Sequence, residues 1–227
     1  VPWSRNAKIA FIGSHGIRKT TAALAFASVI QRAGRSVEFA REVVRDNPLG
    51  INEGATSEAQ LWVLTSQIRR ELELSRKAEV LVTDRGVMDN FAYYLRAGGG
   101  EDRFDAEPLM RQWSATYDLV VRLTPDVEIR ADGVRSTSDE FRDEIEAILD
   151  ARLPRLVPRD RLIVQPASGI TEHHDWWPLA EQLAVRLGEP LLAPGVSRPT
   201  RPGRAAPARS RRPKVAPEDQ LALDLGR

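Results

Sequence analysis

Residues 13–20 of the chain read Gly13-Ser14-His15-Gly16-Ile17-Arg18-Lys19-Thr20, a spacing that assembles what a bound phosphate needs. Backbone N–H groups of a glycine-containing loop and of the helix it opens point at phosphate oxygens, a lysine reaches the outer phosphates, and a hydroxyl serves a magnesium ion. On this reading Gly13 makes the tight exit from a strand, Lys19 is the cation and Thr20 the metal-side hydroxyl. Ser14, His15, Gly16 and Ile17 form the cradle, with the His15 ring either reaching the ligand or turned away, and Thr21 packs or caps behind it. One position departs from the usual pattern, because Arg18 stands where glycine normally precedes the lysine. Glycine there lets backbone approach a ligand closely, so Arg18 has three readings: it points outward, it adds a cation to the phosphates, or it impairs the site. ATP and Mg²⁺ are the cofactors such a loop implies.

Other charged residues fall where they would serve the same site. Asp84 ends an apolar run, Val80-Leu81-Val82-Thr83, where an acid either holds Mg²⁺ through water and sits near the transferred phosphoryl group, or caps the next turn. Arg41 and Glu42 follow another such run; Glu42 is a base, a second metal-side carboxylate, or a solvated acid at a helix start. Arg130, Arg135 and Arg142 surround an Asp132-Gly133-Val134 turn, the kind of Arg-bearing segment from which a lid clamps phosphates, although most surface arginines are simply solvated. His173 and His174 are adjacent, so they share no face and make a poor metal pair. Trp176 and Trp177 read as anchors for the last helix.

The elements that must position these residues are legible from periodicity. Residues 8–13, 36–40, 79–83, 118–123 and 161–165 are short apolar runs read as strands. Residues 19–32, 57–77, 88–96, 106–114, 139–152 and 177–187 read as helices. In the second of these, Leu61, Trp62, Leu64, Ile68 and Leu72 are expected on the buried side, while Asp105 and either Ser136 or Ser138 are expected caps. Five strands alternating with helices specify an α/β fold of three layers around a five-stranded, mostly parallel sheet, with ligands at the carboxyl ends of the strands.

Charge divides the chain. Residues 1–195 carry 25 basic and 29 acidic side chains, whereas residues 196–227 carry 8 basic and 3 acidic ones, so a net charge of +1 is the sum of an acidic body and a basic tail. Residues 1–195 are expected to form the nucleotide-binding domain and 196–227 a disordered Pro/Arg-rich extension. Its arginines would contact nucleic acid weakly and in a salt-dependent way, or serve only as a solubilising low-complexity extension. Its Gln220-Leu221-Ala222-Leu223-Asp224-Leu225 end resembles peptides that dock on bacterial sliding clamps, or it is a frayed terminal element. Cysteine is absent, which excludes disulfides, thiolate metal sites and a cysteine nucleophile. Neither a secretion signal nor a spanning apolar stretch is read, so the expectation is a cytoplasmic protein with no membrane partner.

The segments GSHGIRKTT, FAREVV, LVTDRGVMDNFAYY and DGVRSTSDEFRDEIEAIL together resemble the ribosylnicotinamide kinase domain of the NadR family. They are also similar to the wider group of P-loop ATPase and kinase domains built like thymidylate kinase. The resemblance covers residues 7–187 and implies a P-loop NTPase fold. It implies that Lys19 and Thr20 hold nucleotide phosphates and Mg²⁺, that Asp84 is the acid of the third strand, and that Arg41 and Glu42 face the phosphate acceptor. Residues 132–135, with Arg135, would lie in the lid. The expected reaction is transfer of the ATP γ-phosphoryl group to a small nucleoside- or nucleotide-like acceptor. The alternatives are an ATPase or switch module working with a macromolecule, and a homologue impaired by Arg18.

Overall fold

A computed structural model describes residues 4–50, 54–100, 104–126, 138–171 and 173–198. Five strands, β1 (Ala7–Ile12), β2 (Val37–Ala40), β3 (Val80–Asp84), β4 (Leu119–Thr124) and β5 (Leu162–Pro166), form one sheet in the order β2-β3-β1-β4-β5. Every pairing is parallel. The helices are α1 (Lys19–Arg32), α2 (Ser57–Leu74), α3 (Val87–Arg96), α4 (Glu107–Ser114), α5 (Asp139–Leu156) and α6 (Trp177–Leu187).

Because β1 lies at the centre, both its faces are buried, and alternate residues feed two cores. Ile9 and Phe11 pack with Ala23, Phe26 and Ile30 of α1 and with Leu183 of α6. Trp176 meets Phe11 edge-on at 5.5 Å between ring centroids and completes this core as the anchor expected of it. Ala10 and Ile12 pack on the other face with Leu64, Phe91, Met110, Ile145 and Leu149, drawn from α2 to α5.

The register fixes the site. Phe11 pairs with Asp84 and Ile12 with Arg122, so the loop leaving β1 emerges between the ends of β3 and β4. Gly13 is required at that exit: its φ is +139°, and a Cβ there would meet Ile17 Cδ1 at 2.5 Å and the Leu123 carbonyl oxygen at 2.6 Å.

Caps follow the expected chemistry. The Thr56 hydroxyl accepts from the Ala59 N–H at 3.2 Å and the Ser138 hydroxyl from Phe141 at 3.1 Å. The Asp105 carboxylate accepts from Glu107 at 3.0 Å, although Ala106 is the residue at the cap position. Three expectations need correction. Helix α2 ends at Leu74 rather than at residue 77. Leu72 is 60% exposed, because the buried stripe of α2 runs through Gln67, Glu71 and Leu74 instead. Helix α5 continues past residue 152 and through Pro154 to Leu156, since Leu153 and Leu156 are buried and hold the last turn. Residue 136 lies outside the described residues.

A strap closes the α1 face. The buried Arg35 guanidinium donates to the carbonyls of Pro190 (2.7 Å), Leu191 (2.9 Å) and Leu192 (3.3 Å) and pairs with Glu79 at 3.1 Å. Ala193 and Val196 sit so close to Gly34, itself at φ +79°, that a Cβ there would meet each at 2.8 Å. Contact with the body thus continues beyond residue 195, as Arg198 donates to Glu181 at 3.0 Å. No helix among the described residues is long and apolar enough to cross a membrane.

Candidate functional site

The loop of residues 13–20 joins β1 to α1, and Lys19 is the first residue of the helix. Although a lysine, it is only 4% exposed, and its ammonium donates back to the Ser14 carbonyl. Burial, together with the nearby Arg85, lowers its pKa to about 7 against the opposing pull of Asp89, Glu42 and Asp84. The next residue, Thr20, donates its hydroxyl to Asp84 Oδ2 at 2.6 Å. A cation and a hydroxyl-carboxylate pair are therefore gathered at the carboxyl ends of β1 and β3.

A hard cation would find oxygen donors in Thr20 and Asp84. Among the described residues no group of three or more His, Cys, Asp or Glu could hold a metal. Mg²⁺ needs no such cage, being held by one or two protein oxygens plus water and substrate phosphates, so these two residues fit it.

Glu42, after β2, reaches the same place through Arg85. The Arg85 Nε–H donates to Glu42 Oε1, and the guanidinium also lies 3.5 Å from Asp89 Oδ2 and 5.1 Å from the centre of the Tyr93 ring. Burial works against the Arg85 charge, but Glu42, Tyr93 and Asp89 together outweigh it and raise the guanidinium pKa. Arg85, Asp89 and Tyr93 are absent from the sequence-derived site. The signal that could have found them is their spacing: Asp89 and Tyr93 stand four residues apart on α3 and share its face directly after the Asp84-Arg85 strand end.

Asp89 is wholly buried, and burial raises its pKa to about 6 against the attraction of Arg85 and Lys19. A carboxyl whose folded pKa exceeds its unfolded value stabilises the fold below the unfolded pKa, and that contribution is lost as pH rises through the folded one. Stability is therefore expected to fall between about pH 4 and pH 6 on this account. Asp89→Asn keeps an oxygen for the Gly86 N–H, which donates to Asp89 Oδ1 at 2.8 Å, and should flatten that part of the curve. Denaturant unfolding of both proteins across the range is the check, and parallel curves would refute the assignment.

Helix α5 supports the loop from the other side. Glu146 Oε1 accepts from the Ser14 N–H at 3.0 Å, and Glu146 Oε2 from Arg122 at 2.5 Å. Burial would push the Glu146 carboxyl up, but hydrogen bonding and charge from Arg122 hold it below its usual value. His15 lies between α3 and α5, its Nδ1 3.2 Å from the Tyr93 hydroxyl and its ring 5.4 Å from that of Phe141. The ring is thus packed into the body.

The remaining candidates divide. Arg18 is exposed, and its guanidinium donates to the Ile170 carbonyl at 3.1 Å. Its backbone is left-handed at φ 64° and ψ 24°, the conformation for which glycine is the ordinary choice. Thr21 is exposed on the first turn of α1 and neither packs nor caps. Arg41 is exposed, and Arg142 pairs with Asp139 at 2.7 Å on its own helix. His174 contacts the Gly169 carbonyl at 3.0 Å and lies 4.2 Å from the Trp176 ring. Arg130, Arg135 and the rest of the expected lid lie outside the described residues, as do residues 199–227 with the basic tail and its apolar end.

The sequence model of a family described as an AAA domain matches residues 8–168. No curated protein matches the chain. Among solved structures, a NadR protein in complex with NR is similar over 86% of this chain and 54% of its own, with 18% identity and a TM-score of 0.63. A NadR protein in complex with NAD and AMP-PNP is similar over 86% of this chain and 52% of its own, at 16% identity and a TM-score of 0.57. Thymidylate kinase from Candida albicans is similar over 80% of this chain and 92% of its own, at 13% identity and a TM-score of 0.56. The chain spans about half the length of the NadR chains. At these identities the likeness is one of fold, a parallel α/β sheet of the P-loop NTPase kind.

Proposed function

The chain belongs to the AAA domain family, and on that premise we propose that it binds a magnesium nucleoside triphosphate on residues 13–20 and transfers the terminal phosphoryl group to a small nucleoside-like acceptor. The observation that carries this reading is the convergence of buried Lys19, the Thr20-Asp84 pair and the Glu42-Arg85 pair at one edge of the sheet. The NadR structure with NR and the thymidylate kinase supply the acceptor class by analogy of fold.

Phosphoryl transfer is mostly positioning and charge neutralisation. Lys19 and the amides of the loop and of the first turn of α1 take the charge on the outer phosphate oxygens. Thr20 and Asp84 would hold Mg²⁺, which would supply positive charge to offset that of the phosphates. The bond from the terminal phosphorus to its bridging oxygen breaks as the acceptor oxygen bonds to phosphorus, and Glu42 is the carboxylate available for the acceptor's proton. Arg85, beside Lys19, offers a second fixed cation.

A thermal-shift screen with Mg·ATP, Mg·GTP and a panel of nucleosides tests the reading. A ligand at 100 times its Kd stabilises the native state by about 2.7 kcal/mol, which for this size is a rise of roughly 5–10 °C. A nucleotide response together with a nucleoside response, followed by nucleoside-dependent ADP or GDP release, supports a kinase. No response to either triphosphate refutes it, and a triphosphate response alone favours an ATPase or switch.

Arg18 enters the same assay. Its guanidinium is committed to the Ile170 carbonyl, so Arg18→Gly is expected to leave nucleotide affinity within ~3-fold, or about 0.6 kcal/mol. Removing a left-handed non-glycine residue should at the same time raise stability by up to about 1 kcal/mol. Titration calorimetry decides: a tenfold loss would make Arg18 a phosphate ligand, and a tenfold gain would make it an obstruction.

A further inference from the structure

Glu71, on α2, is 1% exposed. Its carboxylate accepts four hydrogen bonds, at Oε2 from Lys8 Nζ (2.8 Å) and Trp113 Nε1 (2.8 Å), and at Oε1 from the Tyr117 hydroxyl (2.6 Å) and Gln67 Nε2 (2.9 Å). The Lys8 ammonium also lies 4.7 Å and 4.2 Å from the centres of the Trp113 and Tyr117 rings. A carboxylate has about four acceptor sites, so Glu71 is saturated.

Two of its four donors make a second bond, and both second bonds go to one turn. Gln67 Nε2 also donates to the Arg85 carbonyl at 3.3 Å, while the Tyr117 hydroxyl accepts from the Val87 N–H at 3.2 Å. Between them, the Arg85 N–H is taken by the Phe11 carbonyl at 3.1 Å and the Gly86 N–H by Asp89. The turn needs such restraint, since Arg85 has φ 84°, a left-handed conformation that is unfavourable for a non-glycine residue. A backbone held in this way persists only where its surroundings over-determine it, and here every backbone polar group from the Arg85 N–H to the Val87 N–H has a partner, the Gly86 carbonyl accepting from the Asn90 N–H at 3.4 Å as α3 begins.

We infer that Gln67 and Tyr117, oriented by Glu71, are positioning residues that hold Arg85 left-handed and so aim its guanidinium at Glu42 and the phosphate loop. Among the described residues Gln67 and Tyr117 hydrogen-bond to neither the loop nor Glu42; their action is through the backbone of residues 85–87. The inference rests on the proposed function only in taking Arg85 as part of the site, and its test needs no nucleotide.

The test reads the Arg85 Nε–H directly by ¹⁵N-arginine NMR of the ligand-free protein, with the resonance assigned by its absence in Arg85→Lys. Gln67→Met and Tyr117→Phe remove the bonds to the turn with little change of volume. Trp113→Phe removes a Glu71 donor that does not touch the turn. The expected result is a shifted or broadened Arg85 resonance in Gln67→Met and Tyr117→Phe, with Trp113→Phe lowering the melting temperature but leaving the resonance in place. An unmoved resonance in whichever of the first two variants folds would overturn the inference, and so would an equal disturbance in Trp113→Phe. Absence of nucleotide binding would count against the proposed function and leave this result standing.

Discussion

Replacing Lys19 by alanine is expected to weaken Mg·ATP binding by at least ~100-fold while the protein melts within a few degrees of the parent. A 100-fold loss is about 2.7 kcal/mol, the scale of a charge-assisted contact in a site with little water. Lys19 is buried at 4% exposure, so phosphate oxygens would meet its ammonium without a hydration shell between them. The fold has little stake in that charge, because burial lowers the Lys19 pKa to about 7 and the free protein therefore holds the ammonium at a cost. Its ammonium donates back to the Ser14 carbonyl within the same loop, and alanine is a good helix former in the first turn of α1. Calorimetric titration with Mg·ATP beside a thermal melt gives both numbers. A variant that binds as tightly as the parent would remove the phosphate loop from residues 13–20.

The largest stability effect is expected at Glu71. Removing one partner of a buried ion pair leaves the other charge uncompensated and costs about 3–5 kcal/mol. In Glu71→Ala the Lys8 ammonium, the Trp113 N–H, the Tyr117 hydroxyl and the Gln67 amide all lose their shared acceptor. At 2–4 °C per kcal/mol for a domain of this size, the melting temperature should fall on the order of 10 °C. The companion is the pair Lys8→Met with Glu71→Leu, which removes both charges and should lose less than Glu71→Leu alone. Denaturant unfolding of the parent, Lys8→Met, Glu71→Leu and the double variant measures the coupling. If Glu71→Ala stays within about 1 kcal/mol of the parent, the carboxylate is not the keystone of this network.

Much of the scaffold was readable because its signals are local. Helices α1 and α6 begin and end where the sequence places them, since a glycine loop, apolar spacing and the Trp176-Trp177 step all lie within a few residues of the boundary. The strands are apolar runs, and their ends carry the loop and Asp84 to the same edge without further information. What escaped was set by distant partners. Glu71 looks like a surface acid in a window of α2, and only Lys8, 63 residues earlier, and Trp113, 42 residues later, make it a buried one. Leu72 was expected inside for the same reason, because hydrophobic periodicity has no way to assign the buried stripe to a glutamate. Arg85 likewise owes its burial to Glu42, 43 residues away. Helix α5 runs past its expected end at residue 152 and through Pro154, because two buried leucines, Leu153 and Leu156, hold its last turn.

The strap over the α1 face also imposes an order on assembly. The core on the α2–α5 face draws its buried residues from 10 to 157 and can close while the last part of the chain is still being made. The opposite core must wait for α6 and Leu191. Arg35 is synthesised early, yet its most distant carbonyl acceptor, on Leu192, lies 157 residues later. At a ribosomal rate of ~5–20 residues per second, that guanidinium spends roughly eight to thirty seconds with water in place of its carbonyl acceptors. During that interval one side of the sheet is packed and the other is open, and a nascent chain stalled before residue 190 would remain in that half-closed state.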